Sequence, residues 1–372
     1  MHTLRENLIK LLEQGYTPLQ MADLREVVVY GAGSTGRNVA SELQRRCVRV
    51  AAFLDANADA LGVIEGVPCF TPQSAEARKM AAEGLLAVIA VFNYATDIGP
   101  IVSILEETGF ARVISYYEIH ECLELAPHFW LTERSYYRQH TEAILRGFDL
   151  LEDEVSRQIY HDHFALRLTF DLGLLREPDV QNQYAPADLP QPKAPLRLID
   201  GGAFTGDTLE FFLNSGLPMG AVAAFEPDSE NFDCLAAYAK EHLPQLGEVI
   251  LMPCGLGEAT KIVSFSAGAG EGSAISEDGA TCIQIVKLDN ILPTFSPTLI
   301  KLDIEGSEPE ALLGASEIII RDHPSLAVCL YHAPSHLWEI PNLIANIRPD
   351  YRFFLRQHRF NGLEAVLYAL PK

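Results

Sequence analysis

The sequence predicts an α/β protein of two domains, each built on a largely parallel sheet. An apolar strand, a glycine-rich turn and a helix follow one another twice, over residues 26–46 and again over residues 196–213. In both places an acid, Asp55 or Glu226, follows the next strand about 20 residues after the turn, as in nucleotide-binding sheets. A chain of 372 residues also fits about two domains of ordinary size.

Composition restricts the classes of partner. The formal net charge is −22, whereas nucleic-acid binding requires a basic surface, so we expect no nucleic-acid partner. The sequence has no apolar run of membrane-spanning length and no secretory signal, so we expect no membrane association. Its seven cysteines are scattered without a C-x-x-C pair, which favours a reducing cytoplasm over a disulfide or zinc framework. The expected partner is a small molecule, and a homo-oligomer is compatible with the sequence.

Residues 1–120 are predicted to form a small Rossmann-like domain. An amphipathic helix is expected over residues 3–24, before the first strand. The turn Gly31-Ala-Gly-Ser-Thr-Gly36 lies between that strand and a helix, which is the context that a G-x-G-x-x-G nucleotide motif requires. The predicted strands are 26–30, 48–54, 85–92 and 112–116, and the predicted helix after the turn is 37–46.

The glycine turn of this domain permits two interpretations. In the first, Gly31, Gly33, Gly36 and Asp55 bind a nucleotide or a nucleotide sugar. In the second, the fold is a scaffold or docking module, because the unit is only about half as long as a dinucleotide site usually needs. No residues typical of hydride transfer follow the turn, so we expect no redox chemistry there.

Residues 121–195 are predicted to form a helical connector, because their apolar residues recur at helical spacing. Several prolines then mark the join to the second domain. From residue 196 onward, strands alternate with helices, and a hairpin is expected from residues 261–266 and 282–287. The glycine-rich run 268–273 is predicted to be the hairpin tip. The other predicted strands are 196–200, 221–225, 248–252, 299–303, 326–331, 351–356 and 364–370.

The order of the predicted strands in residues 196–372 distinguishes between two types of α/β sheet. Its last two strands follow one another closely enough to form an antiparallel pair after a βα run. A dehydrogenase sheet would continue parallel, whereas the seven-stranded sheet of class I methyltransferases ends in such a pair.

The glycine turn of the second domain has acids at both ends. Asp200 precedes Gly201 and Gly202, and Asp207 follows Gly206. The two carboxylates would repel a pyrophosphate but suit an ammonium and a sulfonium, which favours S-adenosylmethionine as the cofactor. The alternative is an ordinary strand-to-helix turn in which the helix dipole favours Asp207 in the first helical turn.

Three further residues are predicted to contact the cofactor. Glu226 ends the second strand of the domain, where a carboxylate can accept both ribose hydroxyls. Tyr184, with Gln183, precedes the first strand and is placed to reach over the cofactor. Gly255, after Cys254 and the third strand, is placed to offer backbone groups to the adenine.

Three candidate catalytic residues follow strands that should be neighbours. Strand alternation places Asp303 and Glu305 on the same side as Lys301, which would neutralise one of them. His332 follows a later strand and is the expected general base, because imidazole titrates near neutrality. The alternatives are that one acid caps the helix after Ser307 and that the histidine is structural. No metal is required, although the two acids would suit Mg²⁺.

These motifs together resemble the FkbM methyltransferase family over about residues 196–370. The resemblance implies a transferase that depends on S-adenosylmethionine and acts on a hydroxyl of a sugar or another secondary metabolite. We keep two alternatives: a nucleotide-sugar or NAD-linked enzyme through the first domain, and a non-catalytic protein that binds the cofactor. The segments that carry the resemblance are LIDGGAFTGDT (198–208), FEP (225–227), VKLD (286–289), IKLDIEGSEPE (300–310), LLGA (312–315) and YH (331–332).

Overall fold

Two compact units make up the chain in a computed structural model. The structure describes residues 2–174, 178–266, 274–275, 279 and 281–372, so the run 268–273 lies outside the described residues. The residues of the expected connector, 121–195, are shared between the two units. The first unit comprises residues 1–141, 161–178 and 359–363, and the second comprises residues 142–160, 179–358 and 364–372.

The first unit contains a six-stranded sheet in which one inner strand has three buried valines, Val27–Val29, as a parallel sheet covered on both faces requires. Its strands are β1 (Glu26–Tyr30), β2 (Arg49–Leu54), β3 (Val63–Ile64), β4 (Val67–Phe70), β5 (Leu86–Ile89) and β6 (Val113–Ile114). The order is β3–β4–β2–β1–β5–β6, and all pairs are parallel except β3–β4. The first helices are α1 (His2–Glu13), α2 (Ser34–Arg45), α3 (Ala58–Leu61), α4 (Ala75–Ala82), α5 (Gly99–Thr108), α6 (Tyr116–Cys122) and α7 (Arg134–Gln139).

Three predicted elements of this unit are clearly shorter than expected, and the first is the strand over residues 85–92, which spans only Leu86–Ile89. The helix over residues 3–24 ends at Glu13, because Gly15 and Pro18 follow, and only a 3₁₀ turn (Met21–Asp23) succeeds it. The strand over residues 112–116 stops at Ile114, because Ser115 caps α6. Its hydroxyl accepts from the Glu118 backbone at 3.2 Å, and the Glu118 carboxylate accepts from the Ser115 backbone at 3.0 Å.

The second unit contains eleven strands among the described residues, arranged in two sheets. In chain order they are β7 (Leu196–Gly201), β8 (Met219–Phe225), β9 (Glu248–Met252), β10 (Gly255–Leu256), β11 (Lys261–Ser266), β12 (Ala274–Ile275), β13 (Thr281–Val286), β14 (Leu299–Leu302), β15 (Ser325–Cys329), β16 (Tyr351–Gln357) and β17 (Ala365–Pro371). The remaining helices are α8 (Thr141–Leu150), α9 (Glu154–Thr169), α10 (Asp207–Asn214), α11 (Ser229–Leu246), α12 (Leu288–Ile291), α13 (Glu308–Gly314), α14 (Ser316–Asp322) and α15 (His336–Ile347).

The seven-stranded sheet confirms the predicted fold class. Its order is β16–β17–β15–β14–β7–β8–β9, and β17 runs antiparallel to both of its neighbours. The predicted hairpin forms between β11 and β13, in a separate four-stranded sheet with β10 and β12. Within the described ranges, no helix has both the length and the apolar character that crossing a membrane requires.

The strand order reverses between β7 and β14. Strands β8 and β9 continue on one side of β7, while β14 and β15 continue on the other. Ligands of such sheets bind in the crevice outside the carboxyl ends of the strands at this point. The end of β7 (Asp200–Gly201) and the residue after β14 (Asp303) therefore lie where a ligand is expected.

Candidate active site

A buried ion pair joins the ends of β7 and β14. Asp200 and Lys301 are register partners on these strands, and the Lys301 Nζ lies 3.1 Å from the Asp200 Oδ1. The same ammonium donates to the Gly202 carbonyl at 2.6 Å and to the Gly201 carbonyl at 3.3 Å. Burial raises the pKa of Asp200 to about 6, against the opposing effect of Lys301. Lys301 therefore forms its ion pair with Asp200, and not with Asp303 or Glu305 as expected, although its charge also interacts with Asp303 at longer range.

The glycine turn after β7 allows the backbone of β14 to approach closely. Gly202 has a φ of +74°, and a Cβ on it would lie 1.8 Å from the Asp303 carbonyl oxygen. Gly206 has a φ of +98° and is the residue before α10, whose exposed first residue is Asp207. Both glycines are therefore required by backbone geometry, and the turn leaves the N-terminus of α10 beside the crevice.

The carboxylate of Glu226 holds this turn in place. Its Oε2 accepts from the Phe204 backbone and its Oε1 accepts from the Asp228 backbone, both at 2.9 Å. Burial raises the pKa of Glu226, and these two hydrogen bonds oppose that rise. Each ionised oxygen can accept a second hydrogen bond, so the carboxylate retains acceptors for a ligand hydroxyl.

Asp303 lies at the centre of a polar cluster beyond β14. Its Oδ2 accepts from the Tyr184 hydroxyl at 2.9 Å, and its Oδ1 accepts from the Tyr331 hydroxyl at 3.2 Å. The Nε2 of His332 lies 3.4 Å from the Asp303 Oδ1 and 3.7 Å from the Glu305 Oε1. The structure thus brings together the three predicted catalytic side chains, because their strands are neighbours in the sheet.

His332 is held by an acid that the sequence did not single out. Glu308, the first residue of α13, accepts from the His332 Nδ1 at 2.8 Å and from the Ile304 backbone at 2.8 Å. Burial alone would lower the pKa of His332, but Glu308, Glu305 and Asp303 raise it well above its usual range. His332 is therefore an imidazolium at neutral pH and has no lone pair to accept a proton, which revises its expected role as the base.

Glu305 has the properties of a general base. Its side chain is 25% exposed, and its backbone adopts a positive φ of +51°. Burial raises its pKa to about 7, and nearby acids reinforce the rise, while His332 opposes it. A carboxyl group that titrates near neutrality and reaches solvent can take up and release a proton at physiological pH.

Two predicted cofactor contacts have different surroundings from those expected. Tyr184 donates to Asp303, so its hydroxyl belongs to the acid cluster. Gly255 pairs with Ile285 in the small sheet, and a Cβ on it would lie 2.7 Å from that side chain. Packing therefore accounts for this glycine, and its contact with adenine stays a prediction.

The comparisons with known proteins identify the family of the part of the chain that carries this site. The model of the family described as "Methyltransferase FkbM domain" matches residues 200–360. That range contains Asp200, the glycine turn, Glu226, Asp303, Glu305 and His332, whereas Tyr184 lies before it. Residues 200–360 belong to the FkbM methyltransferase family.

A solved structure shares the fold of this chain along its whole length. The methyltransferase FkbM from Methylobacillus flagellatus KT is 21% identical, with a TM-score of 0.80 and 99% of each chain covered. A putative rRNA-methylase from Clostridium thermocellum is 11% identical, with 47% of this chain and 85% of that chain covered. Its TM-score of 0.32 is too low to indicate a shared fold. No curated protein matches the chain significantly. The family match supports a methyltransferase function at this general level.

Two groups of side chains among the described residues have the spacing of metal ligands. They are Asp303, Glu308 and His332, and Asp303, Cys329 and Glu364, whose ligand atoms lie within 4.8 Å of one another in each group. The hydrogen bonds given above already engage the carboxylate oxygens of Asp303 and the Nδ1 of His332. A cation would have to replace several of them, so we assign no metal ligands.

The glycine turn of the first unit is closed by its own acid. The Oδ2 of Asp55 accepts from the Ala32 backbone at 2.9 Å, and its Oδ1 accepts from the Asn57 backbone at 2.8 Å. A Cβ on Gly36 would lie 1.8 Å from the Gly31 carbonyl oxygen, so packing requires that glycine. Gly33 has nothing within 4 Å of its Cβ position. Binding of a nucleotide by these residues stays a prediction.

Proposed function

We propose that the FkbM domain transfers a methyl group from S-adenosylmethionine to a hydroxyl of a small acceptor, a sugar or another secondary metabolite. The observation that carries the proposal is the acid-lined glycine turn at the strand-order reversal, directly beside the Asp303–Glu305–His332 cluster. S-adenosylmethionine supplies an activated methyl group on a positively charged sulfur.

The residues of the turn fit this cofactor. Gly202 and Gly206 supply the positive φ angles of the turn and its close approach to Asp303 and Tyr238. Asp207 adds an exposed carboxylate for an ammonium or sulfonium. Glu226 keeps the lone pairs that two ribose hydroxyls need. Asp200 acts indirectly in this arrangement, because its charge holds Lys301 against the carbonyls of the turn.

Glu305 is the general base of the proposed reaction. It removes the acceptor hydroxyl proton as the acceptor oxygen forms its bond to the methyl carbon and the carbon–sulfur bond breaks. The Asp303 carboxylate, held by two phenols, orients the acceptor hydroxyl. His332, fixed as an imidazolium by Glu308, keeps both carboxylates in place.

Methyl-labelled S-adenosylmethionine tests the proposal. The full chain is incubated with a panel of sugars, nucleotide sugars and hydroxylated metabolites, and the products are analysed by mass spectrometry. We expect label on an acceptor oxygen with the wild-type protein and far less with Glu305→Gln. Label on a nitrogen or carbon atom, or equal labelling by both proteins, contradicts the proposal.

A further inference from the structure

Five side chains of the second unit form a closed ring of hydrogen bonds next to the proposed site. The Tyr184 hydroxyl donates to the Asp303 Oδ2 at 2.9 Å. The Gln183 Nε2 lies 3.1 Å from the Tyr184 hydroxyl and 2.7 Å from the Glu364 Oε2. The Tyr331 hydroxyl closes the ring, at 3.2 Å from the Asp303 Oδ1 and 2.8 Å from the Glu364 Oε1.

Counting protons shows that one carboxyl group of this ring is neutral. The ring has five contacts, but its neutral donors supply only four protons: two from the Gln183 amide and one from each phenol. With both acids ionised, the single Tyr331 proton would serve only one of its two carboxylate neighbours. The other contact would then place two oxygen lone pairs against each other, so the fifth contact needs a proton on Asp303 or Glu364.

The surroundings place that proton on Glu364. The Asp303 Oδ1 lies 3.4 Å from the His332 Nε2, so the positive charge of the imidazolium faces Asp303 directly. Burial raises the pKa of Glu364 to about 7, with Asp303 adding to the rise, while Tyr331, His332 and Gln183 oppose it. The other titratable groups that face Glu364 are Tyr184, Glu305 and Cys329.

The backbone conformations of Glu364 and Tyr184 support a functional role for Glu364. Glu364 has a φ of +55° and Tyr184 has a φ of +72°, and both are values that residues other than glycine adopt at a cost in energy. Such conformations persist where the surrounding structure fixes them, and they cluster at functional sites. Here the unusual backbone directs both side chains into the ring.

We propose that Glu364 is a positioning residue for the methyl transfer. As a carboxylic acid it donates to Tyr331, and Tyr331 directs its own proton to Asp303. The inference rests on the function proposed above. When Glu364 ionises, its carboxylate competes for the Tyr331 proton, and Asp303 loses one of the donors that hold it. Activity therefore falls as Glu364 loses its proton on the alkaline side.

Matched variants separate this role from a merely structural one. Glu364→Gln keeps a donor for Tyr331 and an acceptor for Gln183 but has no proton to lose. We expect it to keep kcat within about twofold of wild type and to lose the alkaline decline, whereas Glu364→Ala should lower kcat about tenfold or more. Tyr331→Phe should lower kcat too, and adding Glu364→Gln to it should change nothing further. Full loss of activity in Glu364→Gln, with S-adenosylhomocysteine still bound, would overturn the proposal.

Infrared spectroscopy tests the proton on Glu364 without any turnover. Near neutral pH, the spectrum of wild type minus that of Glu364→Gln should contain the carbonyl stretch of a buried carboxylic acid, because contributions from Glu305 and Asp200 are common to both proteins and cancel. Identical spectra in this region would contradict the proposal. Absence of methyl transfer in every variant, with the band present, would count against the proposed function alone.

Discussion

The two glycine turns of the chain share one hydrogen-bond pattern but differ in the charged residues beside them. In each, the acid after the second strand accepts one backbone N–H from the turn and another from the residue two positions after itself. Asp55 does this in the first unit and Glu226 in the second. Only the second turn adds buried charge, through the Asp200–Lys301 pair. The shared pattern therefore builds the turn, and the added charges indicate the ligand.

The two turns also differ in the reason why each needs a glycine. Gly36 is required because its own turn packs against it, at Gly31, whereas Gly202 is required because the residue after a neighbouring strand, Asp303, approaches it. In the second unit the turn and the proposed catalytic cluster are therefore in direct contact.

The largest effect is expected from Glu305→Gln. A general base contributes roughly 10²–10⁴-fold to a rate, so kcat should fall by about that factor. Affinity for S-adenosylhomocysteine should change little, because the variant keeps the shape of the side chain. Glu241→Gln, an exposed acid on α11, is the control and should behave as wild type. Equal rates for the two variants would remove Glu305 as the base.

The next effect concerns stability. Gly202→Ala and Gly36→Ala each place a Cβ 1.8 Å from a carbonyl oxygen, so both should lower the free energy of unfolding by about 1–3 kcal/mol or more. Gly33→Ala, whose Cβ position is open, should have little effect. Urea denaturation of the three variants measures the difference. A destabilised Gly33→Ala together with an unchanged Gly36→Ala would contradict this account of the first turn.

The pH dependence should identify the base. Because the pKa of Glu305 is raised to about 7 and only its ionised form accepts a proton, kcat/KM should fall about tenfold per pH unit below that value. Above it, this group remains ionised and no longer limits the rate. In Glu305→Gln the acid-side fall should disappear. If the same fall persists in that variant, another group is the base.

The smallest effect is expected from chelation. The carboxylates of the cluster are engaged by phenols, backbone groups and the imidazolium, so EDTA should leave the rate unchanged. Rates measured with and without EDTA, and after addition of Mg²⁺, check this. Activity that is lost on chelation and restored by Mg²⁺ would make Asp303 a metal ligand.

Strand order explains which parts of the site the sequence predicts. Asp303 and His332 follow apolar strands that the pattern places side by side, so their proximity could be inferred. Glu308 lies in the segment IKLDIEGSEPE, but acids are common at the start of a helix and so the sequence does not single it out. Only the structure shows its hydrogen bond to His332. Glu364 has no sequence signal, because a loop after β16 carries it to the cluster. The pairing of Lys301 with Asp200 depends on the register between β14 and β7, which the alternation of side chains along one strand does not determine.

Titration calorimetry with S-adenosylhomocysteine tests the central contrast between the two turns most directly. We expect one binding site per chain. Glu226→Ala should weaken binding by about 1.5–3 kcal/mol, the scale of a hydrogen bond to a charged group. Asp55→Ala, which removes the corresponding acid of the first turn, should leave the affinity unchanged. Equal affinity in Glu226→Ala and wild type, or a loss confined to Asp55→Ala, would contradict the assignment of the cofactor to the second turn.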